Sequence, residues 1–266
     1  VTENYSLDDL LYLMARLRDP KSGCPWDIKQ SYASIAPSTI EEAYEVVDAI
    51  EKQDYVHLKE ELGDLLFQVI FYSQIGREEG RFDFAGIVSD LVAKLVRRHP
   101  HVFPDGSLHS RVADQSSLPA DVKQRWEAIK QEERASKGVK GVLADVPLNL
   151  PALTRATKLQ KRAASVGFDW DDVQGPIAKV REELLEVEEA LATGNQNAIA
   201  EELGDLLFAV VNISRFLKLD AESALRSANR KFERRFAYLE KNASRPLPDA
   251  GMEELNRLWE ESKTSV

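Results

Sequence analysis

Apolar residues recur along this chain with the period of a helix. Val180, Leu184, Val187 and Leu191 fall at i, i+4, i+7 and i+11, which is one helical face. Leu203, Leu206, Leu207, Val210 and Ile213 repeat the pattern. No segment alternates strictly between apolar and polar, and β-branched residues are not clustered, so no strand is predicted. The expected fold class is all-α. Gly and Pro gather in Phe103–Pro119, Ser136–Pro151 and Ser244–Gly251, which read as loops or linkers. The longest apolar stretches, Leu65–Tyr72 and Leu206–Ile213, are too short and too interrupted to span a bilayer.

The pattern also repeats as a whole. Residues 60–67 and 201–208 both read EELGDLLF. Glu42 and Glu183 stand 141 residues apart, as do Glu61 and Glu202, so the spacing between the two acidic segments is kept to the residue. Ordered landmarks flank both copies. Trp26-Asp27 and Trp170-Asp171 precede them; Lys94, Arg97, Arg98 and Lys231, Arg234, Arg235 (KxxRR) follow. Each copy closes on WExxK: Trp126, Glu127, Lys130 and Trp259, Glu260, Lys263. Chance similarity of two amphipathic helices does not produce an identical octapeptide with such flanks. The expected organisation is a tandem of duplicated helical hairpin units: residues 1–137, a linker over 138–150, and residues 151–266.

Charge narrows the function. The chain carries 35 Lys and Arg against 45 Asp and Glu, a formal charge of −10. That balance argues against a nucleic-acid partner, which needs a basic face, and against an anionic membrane surface. A single cysteine, Cys24, leaves no internal disulfide and fits a reducing compartment. The segment VTENYSLDDL has neither the basic nor the apolar region of a signal peptide, so the expected location is cytoplasmic.

Each unit places EExxE on one helix and EExxD on the next. At about 100° per residue, Glu183 lies roughly 60° from the Val180–Leu191 stripe, with Glu186 further round the same flank and Glu182 pointing away. Glu202 flanks the second stripe, Asp205 lies beyond it, and Glu201 points out. The short Thr193–Asn195 connection favours an antiparallel pair. Glu183, Glu186, Glu202 and Asp205 are therefore expected to converge, as are Glu42, Glu45, Glu61 and Asp64. Crowded carboxylates are relieved by raised pKa values or by a cation. An all-oxygen set selects a hard cation, Mg²⁺ or Mn²⁺. The competing reading is a solvated acidic face. A di-iron centre would need histidines that neither quartet has. Gly63 and Gly204, costly inside a helix, suggest close helix–helix approach.

A third helix carries the cations. Lys231 and Arg235 share a face at i, i+4, Arg234 joins at i+3, and Asn229 lies just upstream. Cations facing a metal–carboxylate site suit a polyphosphate; salt bridging to the acidic helices is the alternative. Trp259 could stack on a base or simply fill a helix end. The four histidines form no i, i+4 pair with one another, and Cys24 sits in a loop setting, so neither type is assigned chemistry.

EExxE…ELGD followed by NxKFERR, with GCPWD (Gly23–Asp27), RRHPHVF (Arg97–Phe103) and VGFDW (Val166–Trp170), resembles the MazG family of nucleoside triphosphate pyrophosphohydrolases. The resemblance covers nearly the whole chain. It implies helical hairpins that dimerise into four-helix bundles, hence a homodimer, and Mg²⁺-dependent hydrolysis of NTPs and dNTPs to the monophosphate and pyrophosphate. It implies Glu183, Glu186, Glu202 and Asp205 as metal ligands, and nucleotide contacts at Lys179, Glu182, Lys231, Arg235 and Trp259. The C-terminal unit resembles the catalytic one. The N-terminal unit has Ser38 where the other has Lys179, and Val92 where it has Asn229. A duplicated scaffold with vestigial sites, and a phosphatase that removes only the terminal phosphate, are the competing readings.

Overall fold

The computed structural model describes residues 4–111 and 141–265, together with 126, 129, 132, 133 and 138. The described residues form helices and no strand, so the all-α expectation holds. Contacts divide the chain into two compact units, Val1–Glu132 and Glu133–Val266.

The first unit contains α1 (Leu7–Leu17), α2 (Pro25–Ile28), α3 (Tyr32–Lys52), α4 (Tyr55–Glu78) and α5 (Phe84–Arg98). Ser6 and Asp9 close a capping box at the start of α1. The α3–α4 hairpin turns at Gln53, whose φ of 57° is left-handed, and Asp54 then caps α4 by accepting from the His57 N–H at 3.1 Å. Met14, Ile35, Ile70, Phe71 and Ile75 form the core. Beside it the Arg18 guanidinium lies over the Phe71 ring, pairs with Glu78 at 2.7 Å and donates to the carbonyl of Asp27 at 2.6 Å. These bonds fasten the GCPWD segment to the hairpin, where Cys24 donates its N–H to the Leu17 carbonyl and accepts from the Ile28 N–H. His99, at the end of α5, places Nδ1 2.6 Å from the Leu95 carbonyl, which makes the HPH segment a helix stop.

The second unit contains α6 (Ala152–Ala164), α7 (Gln174–Thr193), α8 (Gln196–Phe216), α9 (Ala221–Asn242), a single 3₁₀ turn at Leu247–Asp249, and α10 (Met252–Ser265). Gly194 ends α7 at φ 68°, and the Asn195 side chain caps α8 by accepting from the Asn197 and Ala198 N–H groups. Residues 141–150, read above as linker, are tied to this unit. Arg162 of α6 donates to the Val142 and Ala144 carbonyls and pairs with Asp145, and Val146 is buried.

The duplication extends to burial. Ala49 and Ala190, Gln68 and Ala209, and Ile70 and Val211 are buried pairs at the common 141-residue offset. Two expectations fail. The apolar stripes, expected to pack inward, do so only in part: Leu184, Leu191, Leu203, Leu207 and Val210 are exposed, and burial falls to the neighbouring Ala190, Ala209 and Val211. Small residues occupy the inner seam of the hairpin, and the larger ones are left outside. Gly63 and Gly204 show no close approach either: a Cβ at either position would meet open space. The tight glycines are Gly23, against the backbone of Leu17 and Asp19, Gly76, against the Phe82 ring, and Gly175, against the Trp170 indole.

Candidate functional site

In the second unit, α7 and α8 bring Glu183, Glu186 and Glu202 together. One carboxylate oxygen from each lies within 4.8 Å of the others. Glu183 is buried, whereas Glu186 and Glu202 are half-buried. Lys179, one turn before Glu183, places Nζ 2.7 Å from Glu183 Oε1 and 2.7 Å from Glu182 Oε1. Hydrogen bonds to Glu182 and Glu183 hold the lysine well above its ordinary pKa. The second oxygen of Glu183, Oε2, is buried with no hydrogen-bond partner. A buried carboxylate oxygen left bare is costly, and a cation is the ligand that relieves it. The Glu186 pKa is raised, first by burial and then by the close approach of Glu183. Asp205 stands exposed on α8, one turn past Glu202, and does not join the three within that radius.

The first unit repeats the arrangement with a different counter-charge. Glu42, Glu45 and Glu61 meet the same 4.8 Å condition. Here the buried member is Glu61, on the second helix, and its partner is His57, with Nε2 3.0 Å from Glu61 Oε1. Burial raises the pKa of Glu61, with Glu45 adding to it; burial likewise raises Glu42, with Asp64, Glu45 and Glu61 adding to it. The contact between His57 and Glu61 escaped the sequence reading, which paired histidines only with histidines. The i, i+4 spacing to a glutamate was the available signal.

These raised values fix a sign. An acid whose folded pKa exceeds its unfolded value stabilises the fold fully below the ordinary value of 4.5, and loses that contribution as pH rises through the folded pKa. Glu186→Gln removes one such group. In chelator, the melting temperature of Glu186→Gln minus that of the parent chain is expected to grow between pH 4.5 and neutrality. A difference that stays flat or shrinks would remove the repulsive cluster from the account.

The basic motif lies on α9. Lys231 and Arg234 are exposed, and Arg235 is half-buried with its guanidinium 5.7 Å from the Trp259 ring centre. Trp259 also packs on Phe232, at 5.4 Å between ring centres. Among the described residues no carboxylate pairs with Lys231, Arg234 or Arg235, and the Arg235 Nε is buried with no acceptor. The salt-bridge reading of this motif therefore lacks its bridges, and the structure does not bring the motif into contact with the acidic cluster. Asn229 is exposed upstream. In the first unit Trp126 lies 5.9 Å from His99, while Glu127 and Lys130 of that WExxK fall outside the described residues.

The family described as the MazG nucleotide pyrophosphohydrolase domain matches residues 30–103 and 173–238, the two hairpins and their third helices. The nucleoside triphosphate pyrophosphohydrolase of Escherichia coli strain K12 is 52% identical over 262 residues, 97% of each chain. The chain belongs to the MazG family. A second member, the nucleoside triphosphate pyrophosphohydrolase/pyrophosphatase MazG of Thermotoga maritima, is 42% identical over 259 residues, 96% of this chain and 95% of that one. The nucleoside triphosphate pyrophosphohydrolase of Mycobacterium tuberculosis is 32% identical over 176 residues, 65% of this chain and 50% of its own length. Both matched segments of the MazG chain contain an acidic cluster, so the family pattern and the geometry coincide twice.

Proposed function

We propose that this MazG chain hydrolyses nucleoside triphosphates, ribo and deoxy, to the monophosphate and pyrophosphate, using Mg²⁺ or Mn²⁺ at the second unit. The observation that carries the reading is the bare, buried Oε2 of Glu183 inside a cluster of three convergent carboxylates. Two relatives of nearly full overlap bear the name of that activity. The donors are all oxygen, which suits a hard cation. Glu183, Glu186 and Glu202 would hold it, with Asp205 as a fourth carboxylate one turn away. When bound, the cation neutralises phosphate charge and lowers the pKa of water.

The chain's own residues do the rest. A water attacks the α-phosphorus, and pyrophosphate leaves. A cluster oxygen not engaged by the cation orients that water and accepts its proton. Lys179, now on Glu182 and Glu183, is within reach of a phosphate that enters beside them. Among the described residues Lys231, Arg234 and Arg235 have no carboxylate partners, which leaves them to take charge on the leaving pyrophosphate, with Asn229 and Trp259 completing the nucleotide contacts. The first unit keeps Glu42, Glu45, Glu61 and Asp64 as a secondary metal site but lacks the lysine, and we assign it no turnover. The exposed Leu184, Leu191, Leu203 and Leu207 support a homodimer, since an apolar face of that extent calls for a partner surface. No helix among the described residues is long and apolar enough to cross a membrane. With one cysteine, the compartment we propose is the cytoplasm.

Incubation with a mixture of NTPs and dNTPs checks the reading. Pyrophosphate is expected with Mg²⁺ and not with chelator, and Mg²⁺ is expected to raise the melting temperature. A non-enzymatic scaffold gives neither, and a terminal phosphatase gives diphosphate and phosphate.

A further inference from the structure

In each acidic cluster one glutamate is buried, and in each it is the glutamate that holds a basic side chain. In the second unit this is Glu183, 4% exposed, with Lys179 Nζ 2.7 Å from Oε1. In the first it is Glu61, 7% exposed, with His57 Nε2 3.0 Å from Oε1. These are different positions of the duplicated unit. Glu183 lies on α7, the first helix of its hairpin, whereas Glu61 lies on α4, the second helix of the other. Their counterparts at the 141-residue offset, Glu42 and Glu202, are only half-buried. The basic residues do not correspond either: Lys179 stands opposite Ser38, and His57 opposite Ala198. Burial follows the basic partner and not the place in the repeat.

Electrostatics gives the reason. Three carboxylates whose oxygens lie within 4.8 Å of one another repel, and a cation on one of them lowers the field on all three. A single ammonium answers only part of that charge. Lys179 is shared with Glu182, at 2.7 Å, and meets Glu183 at one oxygen, while Oε2 stays buried and bare. A divalent cation on the trio and an ammonium on Glu183 act on the same carboxylate, where burial weakens screening, so the two repel each other. The lysine is the one able to yield. Its side chain is 36% exposed on a four-carbon stem, and Glu182, more exposed still, remains a partner outside the trio.

We propose that Lys179 is a built-in counter-ion of the second cluster that competes with the metal ion for Glu183, so that metal loading releases the lysine. The ammonium holds the carboxylates together without metal, at the expense of metal affinity. A lysine freed only by the metal becomes available only in a loaded site, which orders assembly as metal first and nucleotide second. The first unit has no lysine to release. This assignment rests on the metal reading above, and the test separates the two.

Mn²⁺ binding to the full chain without nucleotide, followed by electron paramagnetic resonance, tests it. All samples carry Glu45→Gln and Glu61→Gln, which leave the first cluster one carboxylate of its three. Against that background, Lys179→Met is expected to tighten Mn²⁺ binding about fivefold or more. Damage to the fold, or loss of a contact made only with the nucleotide, does not tighten metal binding. In the unsubstituted chain, reductive methylation of Lys179, read by mass spectrometry, is expected to speed up about twofold or more when Mg²⁺ is added. Equal or weaker Mn²⁺ binding in Lys179→Met, or a methylation rate that Mg²⁺ does not raise, overturns the competition and leaves the metal reading standing. No Mn²⁺ binding by the background chain overturns both.

Discussion

Glu202→Gln is expected to lower kcat for pyrophosphate release by about 10²-fold or more, the equivalent of losing about 3 kcal/mol of transition-state stabilisation. The substitution keeps the size of the side chain and removes one of three charges whose oxygens lie within 4.8 Å of one another. The same change in the first unit, Glu61→Gln, is expected to alter kcat by no more than about twofold. The contrast follows from what surrounds each buried glutamate. Glu183 is paired with Lys179, a phosphate-binding type of residue, and keeps a bare oxygen; Glu61 is paired with His57, and its unit has Ser38 in place of the lysine. Steady-state kinetics on the two variants decide it. Intact turnover in Glu202→Gln together with loss in Glu61→Gln would assign catalysis to the other half of the MazG chain.

Phe71→Ala carries the largest expected cost to folding, about 3–5 kcal/mol. Phe71 is 1% exposed, meets Phe67 edge-on at 5.8 Å and carries the Arg18 guanidinium at 5.4 Å. Truncation therefore opens a cavity in the core of the first unit and removes the surface on which a buried arginine rests. Denaturant titration followed by circular dichroism measures the effect. Phe168→Ala is the control: with its ring exposed, it should stay within about 0.5 kcal/mol of the parent. A cost for Phe71→Ala below about 1 kcal/mol would mean that Met14, Ile70 and Phe71 do not form the core described.

The helices and their duplication were legible because both are periodic. A 3.6-residue stripe and a 141-residue offset survive in one dimension, and the convergence of Glu183, Glu186 and Glu202 followed from wheel positions on two helices joined by a short turn. Burial was less legible. The stripe Val180–Leu191 was the most hydrophobic face, yet Leu184 and Leu191 are exposed and Ala190 is buried, because an antiparallel hairpin closes on its small residues. Hydrophobicity alone does not say which of two apolar faces meets the neighbouring helix and which awaits another surface. The role of His57 and the bond from Gln160 Nε2 to the Phe208 carbonyl depend on partners and burial that spacing cannot supply; Gln160 and Phe208 are 48 residues apart in the chain. The glycines of ELGD show the converse, a sequence oddity without a packing cause inside the unit.

The most direct test of the account is hydrolysis of a nucleoside triphosphate by the intact chain in ¹⁸O-labelled water with Mg²⁺, with both products weighed by mass spectrometry. Attack on the α-phosphorus predicts equal amounts of monophosphate and pyrophosphate, the label in the monophosphate, and loss of both products in Glu202→Gln. Label in the pyrophosphate, release of diphosphate and phosphate, or undiminished turnover in Glu202→Gln would contradict it.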